Sequence, residues 1–522
     1  MESMQANKKV DVLVVGSGAA GSVVAAVNAE AGKEVLILEA GPKRQLTDLA
    51  SSQIQARKLK WSGAFVEEQG DLKIGHNFNS GYGTGGGALH HFAVWPRLHE
   101  NDFTVKSDYD KGLDWPISYK TLQPFYDRIQ DDVGVSGDAN AEKWRPPGKP
   151  YPLPPLPVFA QGRVIAKGFE HLGMQTAPIP MAVKSQPYKG RSACLYDGWC
   201  DAGCPIGALA NPLVTYLPRA IKAGAGIQHD ATVARVLHDS SGKKAIGVEY
   251  HDKTGAAHTV FANQVVLGAF AVQNARILLN SASEKHPNGL ANSNDMVGRY
   301  LMTHPAQTVF GLMAEETQPH LGPTGGQLIC HDHYANKRET KDSFGSYQWL
   351  IASAAKPNDL LGIANSRPDI YGKALDPFMR KAAKHFALMN LVGEDLALAD
   401  NRVALSANKD SNGMPLAATT HNLTPETWSM LKRGVEQGKK VFEAAGAEET
   451  WAGNPFGMHI MGGTVMGVNA KSSVTDDFGR THTVDNLYLA GPGGFPSSGA
   501  VNPTFTIHAL ALRTAEQMLR DG

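Results

Sequence analysis

The chain has 522 residues, of which 42% are hydrophobic and 19% charged, with 50 basic side chains against 50 acidic ones. That length exceeds one simple core, so two domains or one elaborated unit are expected. A formal net charge of +0 gives no electrostatic reason to expect a nucleic-acid or anionic-membrane partner. No apolar run approaches the roughly 18 residues that cross a bilayer, and the 4 cysteines are too few for a disulfide scaffold.

The start, MESMQANKKVDVLVVGSG, has no long apolar stretch before Val12, so no signal peptide is expected. Val12 to Val15 then read as a buried parallel strand. Gly16, Gly18 and Gly21 follow as G-x-G-x-x-G, with Ala19 and Ala20 opening a helix between them. The glycines allow the turn, the approach of a pyrophosphate to the backbone and close helix packing, and the helix N-terminus faces the phosphates. After a second strand, Val35 to Leu38, come Glu39 and Ala40, and the acid stands where ribose hydroxyls are bound. Strand, turn, helix, strand and acid together point to a dinucleotide, either NAD or FAD.

Further along lies GYGTGGGALHHF, a loop with Gly85, Gly86 and Gly87 that ends in His90 and His91. The proline-rich stretch 146–157 is expected to be an extended surface connector. SACLYDGWCDAGC, residues 192–204, gathers Cys194, Cys200 and Cys204. Three thiolates are soft ligands suited to an iron–sulfur cluster, zinc or copper. Zinc usually takes four ligands, and this loop supplies three and no histidine. Three is the count for [3Fe–4S], and Pro205 gives the C-P ending of ferredoxin-like motifs. On the residues alone iron–sulfur, zinc and no shared role all stay open. Cys330 reads as a small buried apolar residue.

From Ala225 to Phe270 apolar and polar residues alternate around DSSGKK and DKTG turns, which predicts a meander leading into a buried strand, Val265 to Gly268, that rejoins the nucleotide sheet. Residues 306–453 mix strand-like runs (SYQWLIAS, FALMNLVG) with a helical one, PETWSMLKRGVEQGKKVFEAAG. FGMHIMGGTVMG carries His459, whose imidazole titrates in the range useful to a general base. Leu487 to Ala490 form a last buried strand, Gly491 begins a turn, and a helix starting at Pro503 and Thr504 turns its positive end toward Asn502. Asn502 suits two roles, helix N-cap or ligand for a substrate oxygen.

The dinucleotide motif, the glycine loop 81–91, DMVGRYLMTHP (295–305), GMHIMGGTVMG (457–467) and GPGGFPSSGAVNPTFTIHALALR together resemble the glucose-methanol-choline oxidoreductases, a family of FAD enzymes. One departure is GAFAVQNARILLNSA (268–282), which lacks the Ser-Pro often present in the family's second signature. The cysteine loop and DYDKGLDWPISYKTLQPFYDRIQDDVGVSG (108–137) are similar to the bacterial branch that includes FAD glucose dehydrogenase and fructose dehydrogenase catalytic subunits, with gluconate dehydrogenases nearby.

The resemblance implies an α/β fold (α+β overall). A Rossmann-like FAD-binding domain would be built from 1–150, 205–300 and 454–522, a connector and iron–sulfur loop from 151–204, and a substrate domain on an antiparallel sheet from 301–453. It implies His459 as catalytic base and Asn502 as its active-site partner. Val233 and the glycine, alanine, Glu39, Pro503 and Thr504 positions named above would contact FAD. Cys194, Cys200 and Cys204 would ligate a [3Fe–4S] cluster, and His90 would be either a covalent flavin attachment point, as in some members, or ordinary packing. The implied activity is oxidation of a secondary or hemiacetal hydroxyl of a sugar, glycoside or related compound, with electrons leaving through the cluster to an external acceptor. An oxygen-using oxidase of the family and a non-catalytic flavoprotein carrier are the alternatives. Implied partners are a multihaem cytochrome c and a small subunit carrying an export signal, which would place a leaderless chain in the periplasm.

Overall fold

The strand Lys9–Val15 leaves Val12, Leu13 and Val14 without solvent exposure, because it lies between two parallel neighbours, Val35–Leu38 and Ala257–Leu267. Its unbroken apolar run from Val12 to Val15 suits a strand covered on both faces. The structure, a computed structural model, describes residues 9–60 and 62–522, with 357 and 358 through their backbone alone. The reading of residues 1–8 as carrying no export signal lies outside the described residues.

This first sheet runs Gly226–Gln228, Val35–Leu38, Lys9–Val15, Ala257–Leu267, Ala245–His251, Thr232–His238, and Leu487–Leu489 joins the far side of Ala257–Leu267. The pairs from Gly226–Gln228 to Ala257–Leu267 are parallel, and the meander that follows is antiparallel, as the alternation predicts. The helix Ala19–Glu30 is small enough on every face (AAGSVVAAVNAE) to be sandwiched between the sheet and two other helices, Thr504–Asp521 and Tyr216–Lys222.

A second sheet is antiparallel throughout: Ala447–Ala452, Met302–Met313, Phe386–Gly393, Tyr347–Ile351, Leu328–Cys330, Ala177–Pro178, with Phe456–Met461 also paired to Met302–Met313. The helix Pro425–Ala444 covers one face of it. Thr424 caps this helix by accepting from the Thr427 N–H at 3.1 Å, and Met430, Leu431, Val441 and Phe442 face inward. Each such side chain contributes about 1.5–3 kcal/mol by leaving water. Cys330 is buried in this core, as expected of a small apolar residue. A short third sheet pairs Arg402–Lys409, Pro415–Thr420 and Val66–Gln69. The proline-rich stretch 146–157 holds neither helix nor strand and makes one isolated bridge, Ser136 to Leu153. Among the described residues no helix is long and apolar enough to cross a membrane.

Candidate active site

A cavity of about 400 Å³ opens where the first sheet's C-terminal strand ends meet the second sheet. Of the residues expected to hold a dinucleotide, Gly16, Gly18, Ala19, Ala20, Glu39, Ala40, Gly86, Gly87, His90, Val233, Gly491, Pro503 and Thr504 line it, together with His459 and Asn502. Gly21 and Gly85 stand behind the wall. A Cβ on Gly21 would sit 2.0 Å from the Gly16 carbonyl oxygen, so glycine there lets helix and turn pack. Gly85, at φ +93°, donates its N–H to Ser17 Oγ at 3.0 Å.

The N-termini of the helices Ala19–Glu30 and Thr504–Asp521 both reach the cavity, and aligned peptide dipoles make those ends electropositive. Several wall atoms are buried with no partner among the described residues: both ring nitrogens of His76, Ser80 Oγ, His91 Nε2 and Gln273 Nε2. Buried polar groups are nearly always bonded. Unspent ones around a cavity with two helix N-termini at its wall fit a large, polar, anionic ligand such as FAD. Glu39 also lines the wall, but its carboxylate accepts from Ser17 N–H (3.0 Å), Ser17 Oγ (2.6 Å), Gly41 N–H (3.0 Å) and Gly83 N–H (3.0 Å). Those bonds occupy about all four of its acceptor sites and clasp three loops.

His459 sits in Phe456–Met461 where the pairing with Met302–Met313 shifts register between Met458 and Met461. Its φ of +60° is unusual for a residue with a side chain, and such a kink re-aims the imidazole out of the strand's regular alternation and into the cavity. His459 Nε2 is 3.2 Å from Asn502 Nδ2, and His459 Nδ1 is 2.9 Å from His304 Nδ1. Burial, with His304 and His91 nearby, pushes His459 well below the usual histidine range, so it is a neutral, proton-accepting imidazole. Asn502 caps nothing. The last helix begins at Thr504 with Pro503 in the cap position and no side-chain cap bond, and the Asn502 side chain is spent on His459 and Gln348. With Pro503 in the cap position, the Asn502 side chain is left to face the cavity.

His90 is buried with Nε2 3.1 Å from the Ser80 carbonyl, whereas its neighbour His91 bonds the Ala88 carbonyl through Nδ1 and leaves Nε2 unpartnered on the cavity wall.

The cysteine loop lies beside this cavity. Each sulfur accepts one backbone N–H: Cys194 from Tyr196 (3.3 Å), Cys200 from Thr324 (3.4 Å) and Cys204 from Leu209 (3.4 Å). Asp201 ties the loop to the cavity wall through Lys60 at 2.8 Å. Burial raises the Cys194 thiol to about 11 and Cys200 to about 12, with the neighbouring cysteines adding to both. Yet among the described residues no three His, Cys, Asp or Glu side chains converge closely enough to hold a metal ion. The loop therefore has the donor chemistry of a cluster site without its closed geometry.

Sequence reasoning did not single out His304, Gln348 or His331, which surround the His459–Asn502 pair. They come from three separate strand or loop segments, and nothing in their spacing along the chain signals that they meet.

Residues 10–306 and 397–511 match the N- and C-terminal parts of the GMC oxidoreductases. The chain is 31% identical to 2-methyl-1,2-propanediol dehydrogenase of Mycolicibacterium austroafricanum, over 98% of this chain and 95% of that one. It is 29% identical to the fructose dehydrogenase large subunit of Gluconobacter japonicus, over 98% of each. It is 26% identical to the gluconate 2-dehydrogenase flavoprotein of Pantoea cypripedii, over 98% of this chain and 93% of that one. The crystal structure of pyridoxine 4-oxidase from Mesorbium loti shares the fold, with a TM-score of 0.68 at 16% identity over 98% of this chain and 99% of that one.

Proposed function

The chain belongs to the GMC oxidoreductases and is an FAD-dependent oxidoreductase of alcohol- or sugar-like substrates; from that premise we propose that it oxidises a secondary or hemiacetal hydroxyl of a sugar, glycoside or polyol. The observation that carries the reading is the His459–Asn502 pair at the wall of the dinucleotide cavity, 3.2 Å apart. FAD, when bound, supplies the acceptor for the carbinol hydride. His459 takes the hydroxyl proton at Nε2, and Asn502 donates from Nδ2 to the oxygen as charge develops there. Gly16, Gly18, Ala19 and Ala20 would face the pyrophosphate, with Gly86, Gly87, Val233 and Ala40 along the rest of the cofactor. Pro503, Thr504 and Gly491 would lie at its flavin end. Glu39 would meet the ribose only by releasing one of its bonds to Gly41 or Gly83. His90 would pack against the flavin or bond to it.

In this reading the FAD half is 1–150, 205–300 and 454–522, and 301–453 faces the substrate. Cys194, Cys200 and Cys204 remain our candidates for iron–sulfur ligands, most simply of a [3Fe–4S] cluster. The reading is supported by an N–H···S bond at each of the three sulfurs. The names of two relatives, a large subunit and a flavoprotein, favour assembly with other chains. A small exporting subunit and a multihaem cytochrome c acceptor in the periplasm would be those partners.

Anaerobic mixing of the holoenzyme with a panel of sugars, sugar acids and polyols tests the activity. Bleaching of the flavin by one class is expected, and His459→Ala should slow it by on the order of 100- to 10,000-fold. Bleaching at an unchanged rate in that variant removes His459 as the base. Iron analysis and the low-temperature electron spin signal of anaerobically prepared protein test the cluster, and a flavin-only protein removes it.

A further inference from the structure

The hydrogen bonds on either side of the His459–Asn502 pair form one continuous chain. His304 Nε2 lies 3.2 Å from the Ser498 carbonyl and 3.1 Å from that of Gly499. On the other side Gln348 Nε2 lies 3.0 Å from Asn502 Oδ1, His331 Nε2 lies 3.0 Å from Gln348 Oε1, and His99 Nε2 lies 3.1 Å from His331 Nδ1.

Carbonyl oxygens only accept, so the direction is settled at the His304 end. His304 Nε2 must carry a proton for Ser498 and Gly499. A neutral ring then has a bare Nδ1, which obliges His459 to donate from Nδ1. His459 is left with a bare Nε2, and toward that atom Asn502 must turn its Nδ2 and not its Oδ1. The amide oxygen of Asn502 accepts from Gln348, whose own oxygen accepts from His331, and a neutral His331 accepts at Nδ1 from His99. Every ring in the chain is pushed low enough by burial to be neutral near pH 7: His304 to about 4, His331 to about 3, His99 to about 4. One polarity satisfies all the bonds, and the reverse would aim a bare nitrogen of His304 at two carbonyl oxygens. Two amides interrupt the rings, so the chain orders donors and acceptors and does not carry protons.

We propose that His304, Gln348 and His331 are positioning residues that fix the hydrogen-bond polarity at the reacting hydroxyl. His459 always offers it a bare Nε2, and Asn502 always offers it an N–H. This rests on the assignment of His459 and Asn502 as the reacting pair. Without the chain His459 would divide between two tautomers, one of them with a proton on the nitrogen that must accept one, and the Asn502 amide could rotate to present its oxygen to a developing negative charge.

The test joins a spectroscopic readout to kinetics. In 15N-histidine-labelled holoenzyme near pH 7, with the His459 signals assigned by their loss in His459→Ala, the His459 ring should be protonated at Nδ1 and bare at Nε2. In His304→Leu that preference should fall. His304→Leu should lower kcat roughly 10- to 1,000-fold, as expected of a base in the wrong tautomer, with KM changed only a few-fold. His304→Asn, whose side-chain oxygen can accept from His459 Nδ1, should recover part of that loss. Gln348→Glu removes the donor to Asn502 and inverts its amide, and it should lower kcat on the order of 100-fold at unchanged flavin content. A wild-type His459 protonated at Nε2 overturns the proposal, even if a variant fails to fold. So do His304→Leu and Gln348→Glu enzymes that fold, bind flavin and keep kcat within two-fold while His459→Ala loses it. If His459→Ala itself keeps full activity, the reacting-pair reading fails instead, and the tautomer measurement still decides the polarity.

Discussion

The Lys60 ammonium lies 2.8 Å from the Asp201 carboxylate, with side chains only 10% and 8% exposed, and so joins the wall of the dinucleotide cavity to the residue that follows Cys200. A second cation, Lys356, stands 3.7 Å from the other oxygen of Asp201 and 3.1 Å from the Gly198 carbonyl. The cysteine loop is therefore held by two charges from outside it. Removing one partner of a buried pair leaves the other desolvated, which typically costs about 3–5 kcal/mol. With Lys356 still present, Lys60→Met should cost roughly 2 kcal/mol, read by denaturant unfolding and by faster proteolysis within 192–204. Adding Asp201→Asn should recover part of the loss. An additive double mutant would show that the pair is not coupled.

Two glycines of the G-x-G-x-x-G turn should fail in different ways. The 2.0 Å approach at Gly21 is to backbone, so Gly21→Ala must displace the helix and should lower the melting temperature with or without flavin. At Gly18 φ is −73° and the nearest atom to a new Cβ is 3.9 Å away. Gly18→Ala should fold with near-normal stability but lose flavin, because its methyl would occupy the cavity at the helix N-terminus. Flavin content and the melting temperature of the stripped protein separate the two effects.

The histidines predict acid lability. Burial lowers His76, His90, His304 and His508 to about 4 and His91 and His331 to about 3, and it holds His459 well below the usual histidine range. Below about pH 6.5 the unfolded chain binds protons at these positions that the folded chain refuses, so stability falls as pH falls. Each contributes up to about 1.4 kcal/mol per pH unit in that window. Glu142, raised to about 7 by burial, and His421, raised by Asp395, act in the opposite sense, but they are fewer. Denaturant midpoints measured from pH 7.5 to 5 should drop steeply. The rate of flavin reduction by substrate should stay flat through neutrality, since His459 is already deprotonated there, and a limb near pH 6.5 would contradict its environment.

What could be read before folding was local. The glycine turn, the small-residue helix and the apolar strands on both sides of them are contiguous in the chain, and Gly16, Gly18, Ala19, Ala20, Glu39 and Ala40 come together on the cavity wall with Gly21 packed behind it. His459 and Asn502 were named through a resemblance. The structure adds that Asn502 is not spent as a helix cap, since Pro503 takes the cap position. His304, Gln348 and His331 were not legible, because their meaning lies in bonds that span as many as 232 positions of chain, as between His99 and His331. The cysteine loop was the most conspicuous sequence feature, yet its thiols stop short of a closed metal site.

The segment that supplies both Asn502 and the carbonyls of Ser498 and Gly499 is anchored by a buried charge cluster. Lys337 bonds Asp102 at 2.9 Å and Glu394 at 2.7 Å, and none of the three side chains is more than 1% exposed. The other oxygen of Asp102 accepts from Tyr334 Oη at 2.8 Å, and Tyr334 Oη in turn accepts from the Ala500 N–H at 2.8 Å. Two carboxylates share one ammonium here, so the cluster already carries an excess negative charge, and its cation is held charged by both neighbours. Lys337→Met would leave two anions without a cation in a site that water does not reach. It should cost roughly 3–5 kcal/mol and loosen the 498–502 segment. Lys337→Met combined with Glu394→Gln and Asp102→Asn removes the charges together and should regain much of the stability while Tyr334 still meets the Ala500 N–H. If the single and triple variants unfold at the same denaturant concentration, the stability comes from packing at Lys337 and not from its charge.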